Sequence, residues 1–169
     1  SLYSEYLPNF SSDKFNVGMD EPWELGQGWS KDEIERRGKD KVYLEHLEGI
    51  RKLVEKHGKH MQFWADVLLE KPENASLLSP SASPIIWGYE ANHPFPDQAE
   101  AISSCGLSYC LAPGTATWRG FTGRWQNAKT NVESAVKNAI EHKADGILLT
   151  SWGDCGNHQP WAVLYPPLV

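Results

Sequence analysis

The sequence predicts an α/β chain of about five parallel strands with flanking helices, part of a (β/α)8 barrel. Three observations predict it. Short strand-like runs alternate with helix-like runs along the 169 residues, and such alternation builds a parallel sheet, either doubly wound or barrel-forming. No G-x-G-x-x-G follows a strand-like run, so the doubly wound dinucleotide fold lacks its signature. Gly26-Gln27-Gly28 has two of the glycines but lies in a loop. Finally, three of the runs have one apolar side and one polar or aromatic side. The second side ends in Asp or Trp at the C-terminal end of the run, where barrels of this class keep their catalytic residues.

Residues 1–10 read as the end of a helix. Phe15 to Asp20 reads as the first strand, with Phe15, Val17 and Met19 opposite Asn16, Gly18 and Asp20. The basic stretch from Arg36 to Lys41 reads as a solvated loop or helix start. Val42 to His57 reads as a helix, because Tyr43, Leu47, Ile50 and Val54 share one face. Gly58 stands where a C-terminal cap is expected. Met61 to Asp66 reads as the second strand, with Met61, Phe63 and Ala65 opposite Gln62, Trp64 and Asp66. A Pro- and Ser-rich turn at 79–84 leads to a third strand, Pro84 to Glu90. A short helix follows over Asp97 to Ser104, ended by Gly106. Leu107 to Ala112 reads as the fourth strand. Gln126 to His142 reads as a helix with Val132, Ala135, Val136, Ala139 and Ile140 as its buried stripe. Gly146 to Trp152 reads as the fifth strand. Neither a linker nor an internal repeat interrupts the chain, so 1–169 reads as a single domain, a partial barrel.

Composition excludes several functions. A net charge of −6 without clustered Lys and Arg gives no electrostatic basis for binding nucleic acid. No apolar run approaches the ~18 residues that span a membrane. Three scattered cysteines make no disulfide framework. Cys155 and His158 are too few to make a zinc site. No nucleotide, haem or metal signature appears, so no cofactor is expected. The unusual count is tryptophan, with eight. An indole face stacks on the apolar face of a pyranose, and its N–H reaches a hydroxyl.

The chemistry concentrates at strand ends. Asp20-Glu21 ends the first strand and enters a loop containing Pro22 and Trp23. Two close carboxylates raise each other's cost of ionisation, which suits one of them to be a general acid. Trp64-x-Asp66, Trp87 and Trp152-x-Asp154 place aromatic rings beside acids at matching ends of later strands.

Asn16-Val17-Gly18-Met19-Asp20-Glu21 resembles the strand-4 motif His-x-Gly-Gly-Asp-Glu of family 20 glycoside hydrolases, the β-N-acetylhexosaminidases. Phe63-Trp64, Trp87 and Trp152-Gly153-Asp154 resemble that family's strand-5 Trp, strand-6 Trp and strand-8 Trp-x-Glu. Order and spacing fit over nearly the whole chain. The resemblance implies strands 4 to 8 of a barrel whose full length is typically about 250 residues. It implies Glu21 as general acid and base, with Asp20 orienting a 2-acetamido group that is itself the nucleophile. It implies Trp64, Trp87 and Trp152 as walls of a sugar pocket, Tyr109 as a donor to the acetamido oxygen, and Asp154 as a ligand of sugar hydroxyls. Asn16 replaces the usual His, Met19 the usual second Gly and Asp154 the usual Glu, and the Asp usual two residues after the Tyr is absent. Other readings stand beside this one: a half-barrel that binds carbohydrate without cleaving it, a structural half-barrel with no formed site, a divergent glycosidase acting on another sugar, and an unrelated (β/α)8 glycosidase that uses two carboxylates such as Glu21 and Asp66 or Asp154. An open sheet leaves an edge and an apolar flank bare, so self-association is expected.

Overall fold

The computed structural model describes residues 2–118, 120 and 123–154; Cys155 and His158 lie outside them. The fold is α/β, with five parallel strands and flanking helices, the partial-barrel class that the alternation predicts. The strands are hydrogen-bonded in chain order. The chain divides into two compact units: residues 1–85 with 105–108, and residues 86–104 with 109–169. The third strand runs from one into the other.

The first unit holds α1 (Leu2–Tyr6), β1 (Lys14–Asn16), α2 (Lys31–Arg37), α3 (Lys39–Glu55), β2 (His60–Trp64), α4 (Asp66–Leu69) and most of β3 (Ala82–Trp87). The apolar side of β2 is as the sequence implies, but the strand ends at Trp64, which is itself buried, and Asp66 opens α4 instead of closing the strand. Met61, Phe63 and Ala65 are fully buried, while Gln62 and Asp66 are half-exposed. On the expected face of α3, Tyr43, Leu47 and Val54 are buried and Ile50 is half-buried. Gly58, with φ of 66°, donates its N–H to Glu55 O at 2.9 Å and closes the helix where the cap was expected.

Three expectations change here. β3 begins at Ala82, inside the expected turn at 79–84, and ends at Trp87 rather than at Glu90. The first strand is three residues long rather than six, because Gly18 and Met19 both take positive φ and leave the extended region. The basic stretch is neither one loop nor one helix. Arg36 and Arg37 finish α2 and pair with Glu33. Gly38, with φ of 87°, then breaks the chain, and Lys39 to Lys41 open α3.

The second unit holds the end of β3, α5 (Phe95–Ser103), β4 (Cys110–Ala112), α6 (Trp125–Glu141) and β5 (Gly146–Ile147). β4 and β5 are shorter than expected. Their parallel alignment nevertheless continues through Leu148 N–H to Leu111 O and Thr150 N–H to Pro113 O, both 2.9 Å. The buried stripe of α6 is rotated from the expected one. Ala128, Asn131, Ala135, Asn138 and Ala139 are buried, whereas Val136 and Ile140 are exposed. Asn131 and Asn138 take interior places outside the expected stripe. Among the described residues no helix is long and apolar enough to cross a membrane.

Candidate functional site

In the first unit the end of β1 is a sharp, strained turn. Asn16 Oδ1 accepts the Gly18 N–H at 2.7 Å, an Asx-type bond that bends the chain two residues on. Gly18 (φ 79°), Met19 (φ 78°) and Glu21 (φ 44°) all lie in the left-handed region. Glycine reaches this region freely, but each other residue is held there at a cost of roughly 1–2 kcal/mol. Three neighbouring elements offset that cost. From α3, Tyr43 donates its hydroxyl to Met19 O at 3.0 Å. From β2, Trp64 N–H donates to Gly18 O at 3.0 Å. From the start of α4, Asp66 Oδ2 accepts the Glu21 N–H at 2.9 Å. Burial pushes the Tyr43 hydroxyl well above the usual tyrosine range, helped by the charges of Asp66 and Asp20. The hydroxyl therefore stays protonated and keeps donating. The outcome is a turn that presents Asp20 and Glu21 to solvent, with Trp64 nearly covered at 9% exposure.

In the second unit the strand ends gather aromatic rings. Trp87 closes β3 and stacks on Tyr89, with centroids 5.4 Å apart and planes at 24°. Tyr89 meets Trp118 edge to face at 5.1 Å and Trp152 at 6.4 Å. Each such pair contributes about 0.5–1.5 kcal/mol beyond area burial. Gly114 makes this packing possible, because a Cβ there would stand 2.5 Å from Trp118 Cη2 and 2.8 Å from Tyr89 Cδ1. Nearby in sequence, the buried hydroxyls of Thr115 and Thr117 pair with each other at 3.1 Å, and Thr117 pairs with Ser151 at 3.4 Å.

Asp20, Glu21 and Trp64 thus come together with Asp66 in one unit. Trp87 and Trp152 come together with Tyr89 and Trp118 in the other. Asp154 is exposed just beyond Trp152. Tyr109 is not gathered with them. It precedes β4, is 2% exposed, and donates its hydroxyl to His142 O at 3.0 Å. That hydroxyl is committed to the end of α6.

Sequence reasoning missed Tyr43, Tyr89, Trp118, Arg124, Asn127 and Asn131. Trp118 carried a signal, being one of eight tryptophans and close after a predicted strand. Asn127 and Asn131 stand four apart on one helical face, a weaker sign that the face serves polar groups. A groove of about 650 Å³ between α5 and α6, lined by Glu100, Glu133, Lys137 and Glu141 among others, offers no aromatic platform and contains no predicted site residue. No group of three His, Cys, Asp or Glu side chains among the described residues could hold a metal ion. Comparison with protein-family models and with curated proteins matches none of them.

Proposed function

We propose that this chain is a glycoside hydrolase resembling the exo-β-N-acetylhexosaminidases, acting on a terminal N-acetylhexosamine. One observation carries the reading: two adjacent carboxylates stand on a strained turn that three separate elements brace. Strain of this kind clusters at functional sites, and a plain surface loop with two acids has no need of it. In the proposed reaction Glu21 gives its proton to the leaving glycosidic oxygen as the C1–O bond breaks. The substrate's own acetamido oxygen attacks C1, with Asp20 orienting that group as positive charge develops on it. Glu21, now a carboxylate, takes a proton from the water that reopens the ring. The resemblance assigns Trp64, Trp87 and Trp152 as walls for the sugar, and Asp154 as an acceptor for its hydroxyls. Tyr109 has no part in this scheme, because its hydroxyl is used elsewhere. The chemistry needs no cofactor.

A second reading, carbohydrate binding without cleavage, is favoured by the aromatic cluster, whose rings all come from the second unit. Hydrolysis of a panel of aryl β-glycosides, with and without the 2-acetamido group, separates the two when run beside Glu21→Gln. Cleavage of the acetamido sugars alone, lost in the variant, is the expected result. Cleavage of sugars without the acetamido group would point to the two-carboxylate scheme. Binding of N-acetylglucosamine without turnover by either protein would leave only the binding reading.

Copies of the chain are also proposed to associate with one another, through the apolar flank of α6 and β5.

A further inference from the structure

Besides Gly88 N–H to Ala112 O and His93 N–H to Glu90 O, four consecutive residues after β3 are held by side chains at the start of α6. Asn131, which has no exposed surface, donates through Nδ2 to Gly88 O at 3.0 Å and to Glu90 O at 2.9 Å. Its Oδ1 accepts the Gly114 N–H at 3.1 Å. One turn earlier, Asn127 donates to Tyr89 O at 2.6 Å and accepts the Ala91 N–H at 2.9 Å. Arg124 donates to Asn127 Oδ1 at 3.1 Å and to both Glu90 oxygens at 2.9 and 2.6 Å. Side chains of residues 124–131 thus engage every carbonyl from Gly88 to Glu90, the Ala91 N–H and the Gly114 N–H. Those are the backbone atoms that carry Tyr89 and allow its close approach to Trp118.

Burying Asn131 and half-burying Asn127 on a helix face is costly unless their polar atoms are satisfied. Aliphatic side chains would fill the space at lower cost, but they could not bond the carbonyls of Gly88, Tyr89 and Glu90 or the N–H groups of Ala91 and Gly114. We propose that Asn127 and Asn131 are positioning residues that fix Tyr89 and Gly114, and through them the spacing of the Trp87, Tyr89, Trp118 and Trp152 rings. The role of those rings as a sugar platform rests on the function proposed above. The positioning itself does not.

Two substitutions at the less buried asparagine grade the effect. Asn127→Asp keeps the acceptor for Ala91 N–H and Arg124 but loses the donor to Tyr89 O. Asn127→Ala loses both. The near-ultraviolet circular dichroism of the folded protein reports the ring geometry directly, because stacked aromatic rings couple. The aromatic signal is expected to fall in Asn127→Ala and to fall part-way in Asn127→Asp, with far-ultraviolet spectra unchanged. If the protein turns over an aryl N-acetylglucosaminide, KM is expected to rise at least fivefold in Asn127→Ala, with kcat changed less than twofold. A near-ultraviolet spectrum identical to wild type in both variants, with only the unfolding midpoint lowered, would overturn the proposal. Absence of turnover in the wild type counts against the hydrolase reading alone, and the spectroscopic comparison still decides the positioning.

Discussion

Met19 occupies a position whose geometry asks for glycine. Its φ of 78° follows that of Gly18 at 79°, and the resembling motif has two glycines in succession there. Holding a side chain in this region costs roughly 1–2 kcal/mol. Replacing it with glycine removes that cost but adds about 0.5–1 kcal/mol of unfolded-chain entropy. Met19→Gly is therefore expected to be neutral or to stabilise the protein by up to about 1 kcal/mol. Met19→Val, β-branched and stiffer, is expected to destabilise it. Urea denaturation of the three proteins checks the order. A glycine variant less stable than the valine variant would mean that Met19 packing, not backbone strain, governs this position. The strain itself was invisible in the sequence, where Gly18-Met19 read as two ordinary strand residues.

Tyr43 shows how α3 serves the turn as well as the core. Its ring belongs to the buried stripe, and its hydroxyl holds Met19 O. Its folded-state pKa is raised, first by burial and then by Asp66 and Asp20. A raised pKa means that the stabilisation is fully present below the unfolded value of about 10. It is lost progressively as pH rises from there toward the folded value, because the unfolded chain ionises first. Tyr43→Phe is expected to cost about 0.5–1.5 kcal/mol at neutral pH. From about pH 9 to about pH 11 it should lose less stability than wild type does. Denaturation midpoints at the two ends of that range measure the difference, and equal losses would show that the hydroxyl does not titrate as described. The apolar stripe of α3 and the apolar side of β2 were legible because burial of large side chains leaves a period in the sequence. The rotated face of α6 was not. Its interior is set by Asn131 and Asn138, polar residues whose burial depends on backbone partners far away in sequence. Likewise, Asp20, Glu21 and the strand-end tryptophans could be read from residue type and order, whereas the braces Tyr43 and Asn127 could not. A brace is defined by the group it meets rather than by any pattern of its own.

The rotation of α6 has a consequence for how copies of the chain meet. With asparagines turned inward, Val136 at 39% exposure and Ile140 at 75% face solvent. β5 packs beside α6 and stands last in the strand order, and next to it Ile147 and Leu148 are 37% and 42% exposed. An edge strand offers unpaired N–H and C=O groups, and exposed apolar side chains beside it favour contact with a second copy. Scattered exposed leucines elsewhere, such as Leu77, need no such explanation. Light scattering behind size-exclusion chromatography is expected to give masses above the 19.0 kDa of one chain, rising with concentration. The double variant Ile140→Lys/Leu148→Lys is expected to stay at the mass of one chain and to change stability by less than about 0.5 kcal/mol, since both positions are exposed. Leu77→Lys, a charge added outside this flank, is expected to leave association unchanged. A wild type of constant single-chain mass, or a double variant that associates as the wild type does, would remove α6 and β5 as the contact. Loss of association in Leu77→Lys as well would mean that added charge, rather than this flank, controls it.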